Sequence, residues 1–232
     1  MKVKLLRYTA DSELLCGAAA STTIKSGKPS EIFEKMDAET AMHKIRQVTG
    51  YGHASVIEHA SFTFSIEDVS RAMTHQLVRH RVASYTQQSQ RYVTYDTIEK
   101  YVTPPSITRN AEAKKVFDET LEKISEAYQK LLNMTIPKED ARFILPNAAK
   151  TNIMVTMNAR ELRHFFNLRC CARAQWEIRE VATEMLKQAK KAAPALFENS
   201  GPSCVEIGYC PEGKMKPPEC SVPKIKARFR SL

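Results

Sequence analysis

The sequence predicts an α+β fold, in which long helices pack on one face of a small antiparallel sheet. Three short segments alternate apolar and polar residues, as half-buried strands do, and longer segments repeat their apolar residues at helical spacing. Because so few strands alternate with the helices, the pattern does not favour a doubly wound parallel sheet. We expect a single domain over residues 1–200, followed by a loop-like tail over residues 201–232 that is rich in Cys, Pro and Lys.

The three predicted strands are short. The first lies in MKVKLLRY, where apolar and basic residues alternate, and a loop that contains Gly27 follows it. The second is ASFTFSI, residues 60–66, which places Phe62 and Phe64 on one side. The third is NIMVTM, residues 152–157, and it leads directly into a helix.

Helices are predicted wherever apolar residues recur every three or four positions. Asp37 can cap the first, and Asn158 forms a capping box with Glu161 at the start of a later one. Pro146 ends a short helix that carries Arg142. The long predicted helices cover residues 37–48, 67–81, 111–134, 158–169 and 172–197.

The charge balance points to an anionic partner. The chain has 35 Lys and Arg against 26 Asp and Glu, which gives a formal net charge of +9 at pH 7. Nucleic acid, phosphorylated small molecules and a membrane surface would each suit this charge. No apolar run is long enough to span a bilayer, and MKVKLLRYTADSELL lacks the features of a signal peptide, so we expect a cytoplasmic protein without a membrane partner.

The six cysteines are expected to be thiols, as is usual in the cytosol. Cys204, Cys210 and Cys220 lie in the tail, where their spacing fits no standard zinc pattern. A metal or redox role of the tail stays open, and no metal site is predicted. The chain also contains no glycine-rich dinucleotide loop, no P-loop and no GxSxG elbow.

The segment RHRVASYTQQSQRY, residues 79–92, concentrates hydrogen-bonding side chains. It contains three arginines and no acidic residue. Guanidinium groups bind phosphate through two hydrogen bonds and stay charged at any working pH. A solvated surface patch is the ordinary interpretation of such a cluster. Because unpaired charges are costly unless an anion or water neutralises them, we favour a pocket for an anionic ligand.

The same segment resembles the signature of the flavin-dependent thymidylate synthases, Arg-His-Arg followed by Ser and a closing Ser-x-Arg. GHASVIEHASFTF, EDARFILP and NARELRHFFNLRCCARAQWEIR are similar to three further segments of that family, in the same order. The resemblance spans roughly residues 50–185. It implies a homotetramer with active sites shared between subunits and with FAD as cofactor. It also implies methylation of dUMP to dTMP by 5,10-methylenetetrahydrofolate and NADPH, without a cysteine nucleophile.

The resemblance further implies roles for individual residues. Arg169 would be catalytic, because a fixed arginine facing the uracil stabilises the negative charge that develops on the ring. The flavin would be held by His53, Ser55, Arg79, His80, Arg81, Gln87, Asn158, Arg160 and His164. The dUMP would be held, mostly around its phosphate, by Gln76, Arg79, Gln87, Gln88, Ser89, Gln90, Arg91, Arg142 and Arg169.

Three residues depart from the family pattern. Gln87 stands where glutamate is common, Arg173 where some members have histidine, and His164 where some have asparagine. We expect activity to survive these departures, whereas the affinity and the redox tuning of the flavin stay open.

Two other functions are compatible with parts of the sequence. The charge of +9 suggests an RNA- or DNA-binding protein, although no stacking aromatics lie beside the basic residues and no module signature occurs. Gln87 suggests a nucleotide-binding relative that has lost catalysis.

Overall fold

The computed structural model describes residues 1–95 and 97–232, and in these residues one sheet has four strands. Two of these strands, Ser61–Ser70 and Lys150–Asn158, run antiparallel. The Thr63 hydroxyl of the first lies 2.9 Å from the Thr156 hydroxyl of the second, and the Asp68 N–H of the first donates to the Asn152 side chain of the second at 2.9 Å. The strands are β1 (Lys2–Tyr8), β2 (Ser61–Ser70), β3 (Ala83–Gln87) and β4 (Lys150–Asn158), in the order β1-β2-β4-β3. The predicted mixture of helices with a small antiparallel sheet is confirmed.

Two of the predicted helix caps are present. The Asp37 carboxylate accepts from the Thr40 N–H at 2.8 Å, and the Asn158 side chain accepts from the Glu161 N–H at 2.9 Å. The helices are α1 (Ser12–Thr22), α2 (Pro29–Glu34), α3 (Ala38–Gly50), α4 (Arg71–Leu77), α5 (Pro105–Thr108), α6 (Ala111–Asn133), α7 (Lys138–Ala141), α8 (Ala159–Arg169), α9 (Trp176–Ala192), α10 (Pro194–Phe197), α11 (Ser203–Ile207) and α12 (Val222–Arg230). Short 3-10 helices cover Ala54–His59, Ile98–Lys100, Arg142–Ile144 and Gly213–Met215. Among the described residues, no helix is both long enough and apolar enough to cross a membrane.

The chain divides into two compact units, each built from several stretches of sequence. The first unit comprises Met1–Lys2, Ile66–Arg79 and Thr86–Met154. The second unit comprises Val3–Ser65, His80–Tyr85 and Val155–Leu232.

The core of the first unit forms along the apolar stripe of α6. Leu121 and Tyr128 on this helix are buried together with Tyr95, Tyr101 and Ala149. The Tyr95 hydroxyl donates to the Lys150 carbonyl at 2.6 Å, which satisfies the polar end of this ring. The predicted stripe of α6 is therefore the face that this unit buries.

The second unit packs its helices closely around aromatic side chains. A Cβ atom on Gly17 in α1 would lie 2.6 Å from the Cα of Ala41 in α3, so only glycine allows these helices to approach so far. Phe62 of β2 and Phe166 of α8 both meet Phe197 edge to face, with ring centroids 5.2 and 6.0 Å apart. Through Phe166, helix α8 packs against this aromatic core.

Two predictions near the N-terminus and the sheet are wrong. The segment before Asp37 is not only loop, because it contains α1 and α2; the small residues of α1 give almost no apolar periodicity, and its packing against α3 stabilises it. The predicted helix over residues 67–81 is also too long. Strand β2 continues to Ser70, whose side chain then caps α4 by accepting from the Met73 N–H at 3.0 Å.

One strand was not predicted, and one predicted helix is divided in the structure. Strand β3 was not predicted, because ASYTQ lacks a run of apolar residues and its pairing with β4 determines its conformation. The single helix predicted over residues 172–197 is two helices. Gln175 caps α9, and Pro194, which cannot donate a backbone hydrogen bond, begins α10.

The tail after residue 200 is not loop-like, contrary to the prediction. It contains α11 and α12, and Val205 and Phe229 are almost completely buried. The residues from 201 onward belong to the second unit. The domain boundary at residue 200 stays a prediction.

Candidate active site

His80 is buried between a carboxylate and a guanidinium group of the second unit. Its Nδ1 lies 3.3 Å from Oε1 of Glu161, and its Nε2 lies 3.2 Å from Nε of Arg169. The Arg169 nitrogen can only donate, so Nε2 of the imidazole accepts. The proton of the neutral ring then lies on Nδ1, which donates to the Glu161 carboxylate. The two contacts together select one tautomer of His80.

The electrostatics of these groups agree with a neutral imidazole. Burial, the charge of Arg169 and the neighbouring His164 lower the pKa of His80 to about 4. Burial also lowers the pKa of Arg169 and raises the pKa of Glu161. At neutral pH, His80 therefore connects the carboxyl of Glu161 with the guanidinium of Arg169 without adding a charge itself.

Helix α8 supplies both partners of His80. Glu161 lies in its first turn and Arg169 in its last, about 12 Å apart along the axis at 1.5 Å per residue. Phe165 lies halfway between them, and its ring meets the His80 ring edge to face with centroids 5.0 Å apart. The backbone of His80 is held as well, because the Tyr85 hydroxyl donates to its carbonyl at 2.8 Å.

Most of the predicted flavin ligands lie in the second unit. His53 and Ser55 are at the beginning of the 3-10 helix Ala54–His59, which packs against α8. Glu58 of that 3-10 helix forms an ion pair with exposed Arg160, and Asn158 caps α8. The structure thus places Asn158 and Arg160 at the start of α8 and packs the 3-10 helix that carries Ser55 against the same helix.

Two more predicted flavin ligands flank the buried imidazole. The exposed His164 ring packs edge to face on His80, with centroids 5.5 Å apart. Arg81 follows His80 in the chain and is exposed. Arg79 is exposed too, but it and Gln87 belong to the first unit.

The predicted dUMP ligands, apart from Arg169, lie in the first unit. Gln76 is half-buried on α4. Gln87 donates from its side-chain amide to the hydroxyl oxygens of Thr74 and Thr151, at 3.0 and 3.3 Å. Both threonines are buried, so the amide of Gln87 is anchored to protein groups.

Gln88 is held through its backbone and its side chain. Its N–H donates to the Asn152 carbonyl at 2.9 Å, and its side-chain oxygen accepts from the Asn152 amide at 3.2 Å. Its carbonyl accepts from the Arg71 guanidinium at 2.9 Å. Arg71 and Asn152, which the sequence did not single out, therefore fix the chain just before Ser89 and Gln90.

Glu139 brings together two of the predicted phosphate ligands. Nε of Arg91 lies 2.8 Å from the Glu139 carboxylate, and Nε of Arg142 donates to the Glu139 carbonyl at 3.0 Å. The Ser89 hydroxyl accepts from the Arg91 N–H at 3.2 Å. The expectation that the arginines of residues 79–92 lack acidic partners is wrong for Arg91, because its partner lies on another segment of the chain.

Sequence reasoning missed the supporting residues Glu161, Glu139, Thr74 and Thr151. Glu161 was visible only as part of a capping box, although it lies eight positions before Arg169 on a helix. The two threonines carry no motif that could have identified them. The roles of all the predicted ligands stay predictions.

The six cysteines are free thiols, as predicted. Burial raises the pKa of Cys16 and of Cys170 to about 12, and it also raises the pKa of Cys204. Within residues 1–95 and 97–232, no three His, Cys, Asp or Glu side chains are grouped so that they could hold a metal ion.

Comparison with known proteins places the chain in a family. The family described as "Thymidylate synthase complementing protein" matches residues 4–195. The chain is 48% identical over 234 residues to a flavin-dependent thymidylate synthase of Geobacter sulfurreducens, covering 100% of this chain and 99% of that one. It is 46% identical over 239 residues to the flavin-dependent thymidylate synthase of Pyrococcus horikoshii, covering 100% and 98%.

Two solved structures share the fold. One is a UMP/dUMP methylase, PolB from Streptomyces cacaoi bound with 5-Br dUMP, with a TM-score of 0.73 and 27% identity over 86% of this chain and 95% of that one. The other is the flavin-dependent thymidylate synthase ThyX from Helicobacter pylori complexed with FAD and dUMP, with a TM-score of 0.70 and 25% identity over 87% and 100%.

The fold and these matches define a class of protein, the enzymes that methylate a uridine nucleotide. Within that class, the chain belongs to the flavin-dependent thymidylate synthase family. The recognition made from the four sequence segments is confirmed.

Proposed function

We propose that this chain forms a homotetramer that methylates dUMP to dTMP, with 5,10-methylenetetrahydrofolate as carbon donor and NADPH as reductant. The family supports the enzyme class, a dUMP methyltransferase, and FAD as its cofactor. The observation that carries the proposal is the half-buried guanidinium of Arg169, which neutral His80 holds at Nε.

Arg169 is the proposed catalytic residue. A guanidinium that is already oriented stabilises the negative charge that develops on the uracil ring without reorganising during the reaction. Its partial burial strengthens this effect, because charges interact more strongly where water is excluded. Burial lowers the pKa of Arg169, yet an arginine starts so high that it remains charged at any working pH.

The second unit offers groups that suit FAD. Arg160 lies in the first turn of α8, and the 3-10 helix that follows His53 and carries Ser55 packs against α8. Helix N-termini and arginine side chains both favour the negative charge of a diphosphate. The exposed His164 ring packs on the buried His80 ring, and exposed Arg81 follows His80 in the chain. When bound, FAD would carry reducing equivalents from NADPH to the nucleotide.

The first unit offers groups that suit the phosphate of dUMP. Arg91, Arg142 and Ser89 gather around Glu139. The ion pair between Arg91 and Glu139 is about half exposed, and such pairs contribute only ~0–1 kcal/mol. A phosphate with nearly two negative charges can therefore replace the carboxylate as the partner of Arg91.

The reaction proceeds without a cysteine nucleophile in this proposal. Thiolates are the nucleophilic form of cysteine, and a raised pKa keeps Cys16, Cys170 and Cys204 protonated at neutral pH. Cys170 directly follows Arg169, but it is buried and its thiol is bonded to Thr183. These features support methyl transfer that depends on the flavin.

We also propose a cytoplasmic enzyme whose active sites are shared between subunits, without a nucleic-acid or membrane partner. Several arginines that suggested nucleic acid have acidic partners: Arg91 with Glu139, Arg163 with Glu206 and Arg173 with Glu212. An extended basic stripe would instead leave such side chains for phosphates of a polymer.

The visible spectrum of the purified protein tests the proposal. We expect a flavin spectrum that bleaches with NADPH in the absence of oxygen, and dTMP formation from dUMP and 5,10-methylenetetrahydrofolate. Colourless protein that binds RNA with a steep salt dependence would contradict it in favour of nucleic-acid binding. Flavin-loaded protein that forms no dTMP would show a relative that has lost catalysis.

A further inference from the structure

We propose that Glu161 and His80 act as a positioning pair for Arg169: Glu161 selects the Nδ1–H tautomer of His80, and Nε2 of that ring then orients the guanidinium. The proposal rests on the proposed function, in which Arg169 is catalytic. Neither Glu161 nor an orienting role of His80 was implied by the sequence resemblance, which assigned His80 to the flavin.

The two hydrogen bonds of the His80 ring have one direction only. The Glu161 carboxylate accepts from Nδ1 at 3.3 Å, and Nε2 accepts from Arg169 at 3.2 Å. With the other tautomer, both contacts would fail at once, since Nε2 would present its proton to a donor and Nδ1 its lone pair to a carboxylate. The carboxylate thus controls which edge of the ring can accept from Arg169.

The pair of Glu161 and His80 is held rigidly by its surroundings. The His80 and Glu161 side chains are only 2% and 11% exposed. Phe165 packs on the imidazole, and the Tyr85 hydroxyl holds the His80 carbonyl. Glu161 itself is fixed at the start of α8, where its N–H is bonded to Asn158. Because the His80 ring is held in place, the position of the Glu161 carboxylate determines where Nε2 can accept from Arg169.

The spacing of residues on α8 places the contacts of His80 in one row. Glu161, Phe165 and Arg169 are four positions apart each, so they follow one another along one side of the helix. His80 lies across this row and contacts all three. Because Nε of Arg169 is the atom that His80 binds, the plane of the guanidinium is set by the protein and not by the nucleotide alone.

The test combines variants of both residues. Glu161→Ala removes the acceptor for Nδ1–H, whereas Glu161→Gln keeps an oxygen acceptor without the charge. His80→Gln places an amide near the former Nε2, and His80→Asn places one only near Nδ1. Glu198→Gln is the matched control, because Glu198 forms an exposed ion pair with Arg46 in the same unit.

Three quantities are measured on each flavin-loaded protein: kcat and KM for dUMP in dTMP formation, the FAD content from its absorbance, and the tautomer of His80 from ¹⁵N-histidine NMR. We expect kcat of Glu161→Ala to fall ~10–100-fold, as for misplaced catalytic groups, while KM for dUMP changes less than about threefold and FAD content is retained. Glu161→Gln should lose less than Glu161→Ala, and His80→Gln less than His80→Asn. Glu198→Gln should match the unmodified protein.

The NMR measurement separates this inference from the proposed function. We expect the Nδ1–H tautomer in the unmodified protein and its loss in Glu161→Ala, whether or not the protein forms dTMP. An Nε2–H tautomer in the unmodified protein would overturn the proposal. So would full kcat in Glu161→Ala, or a loss of activity in that variant that is explained by lost FAD. If even the unmodified protein forms no dTMP, the proposed function fails, and a tautomer that depends on Glu161 still supports the pair.

Discussion

The side-chain amide of Gln87 donates a hydrogen bond to the hydroxyl oxygen of Thr74 at 3.0 Å, and that hydroxyl donates its own proton to the Arg71 carbonyl at 3.0 Å. A threonine hydroxyl has one proton, so its remaining contact must be as an acceptor. Position 87 therefore requires a donor, which an amide provides and an ionised carboxylate does not. This explains why glutamine, and not glutamate, suits position 87 of this chain.

Gln87→Glu should lower the free energy of unfolding by about 1 kcal/mol, because the carboxylate repels the Thr74 oxygen unless that hydroxyl gives up its bond to Arg71. Urea denaturation at pH 7 measures the change. Gln90→Glu introduces the same charge in the same segment and serves as control. Equal stability of Gln87→Glu and the unmodified protein would show that the Thr74 hydroxyl reorients without lowering the free energy of unfolding.

Arg169→Ala should reduce the rate of dTMP formation by a factor of ~10²–10³, because it removes a preorganised cation beside the uracil. FAD should stay bound, since Arg169 is proposed to contact the nucleotide. Turnover and flavin absorbance are measured together. Arg46→Ala, which removes an exposed, ion-paired arginine of the same unit, is the control. Unchanged turnover in Arg169→Ala would refute the catalytic role.

The stability of the protein should fall in mild acid because of His80. The pKa of this imidazole is about 4 in the folded protein and 6.5 when it is unperturbed, as in the unfolded chain, so between these pH values the unfolded chain binds more protons. Stability is therefore lost as the pH falls from about 6.5 to about 4. The expected loss from this group is about 2 kcal/mol at pH 5.

His80→Gln isolates this effect. The groups that face His80 are Glu161, Arg169, His164 and Tyr85, and they are present in both proteins. The free energy of unfolding, measured in urea at pH 7 and pH 5, should fall more in the unmodified protein than in His80→Gln. Parallel pH dependence of the two proteins is the opposing result.

Replacing Cys170 and Cys171 together by alanine should leave dTMP formation within about threefold of the unmodified enzyme. Neither thiol is needed as a nucleophile in the proposed mechanism, and burial raises the pKa of Cys170 to about 12. Turnover is compared at equal FAD content, so that loss of folded protein is not mistaken for loss of chemistry. A folded, flavin-loaded variant without activity would mean that a thiol takes part.

Phe229→Ala should destabilise the protein by about 3 kcal/mol, although this residue lies close to the C-terminal Leu232. The Phe229 ring is almost completely buried, and it packs so closely on Gly201 that a Cβ there would lie 3.1 Å from it. Met215→Ala, at an exposed position of the same tail, is the control. Urea denaturation and trypsin cleavage after Lys214 measure the change. Equal resistance of both variants would indicate a tail that packs independently of Phe229.

The parts of the fold that sequence reasoning predicted are those with local signals. The stripe of α6 repeats at helical spacing, and Asp37 and Asn158 carry their caps within three residues. Strand β3 and helix α1 were missed because each depends on a distant partner. ASYTQ pairs with β4, and the Gly17 surface of α1 fits against Ala41.

At the candidate site too, local motifs could be predicted from the sequence, whereas contacts with distant residues could not. The four motifs in their order were sufficient to identify the family, and the resemblance implied roles for Arg169, His80 and the arginines of residues 79–91. It did not show that Arg91 has Glu139 as a partner, nor that both imidazole nitrogens of His80 are bound by protein.

The sequence by itself determined the family, through four segments that resemble it, and the fold class, through the periodicity of its apolar residues. Only the tertiary structure decided which protonated form of His80 the protein holds and which atom of Arg169 it binds. His80 and Arg169 are 89 positions apart, and their contact depends on how the chain between them packs. A local sequence pattern does not say whether two residues so far apart in the chain meet, whereas the folded core brings these two side chains within hydrogen-bonding distance.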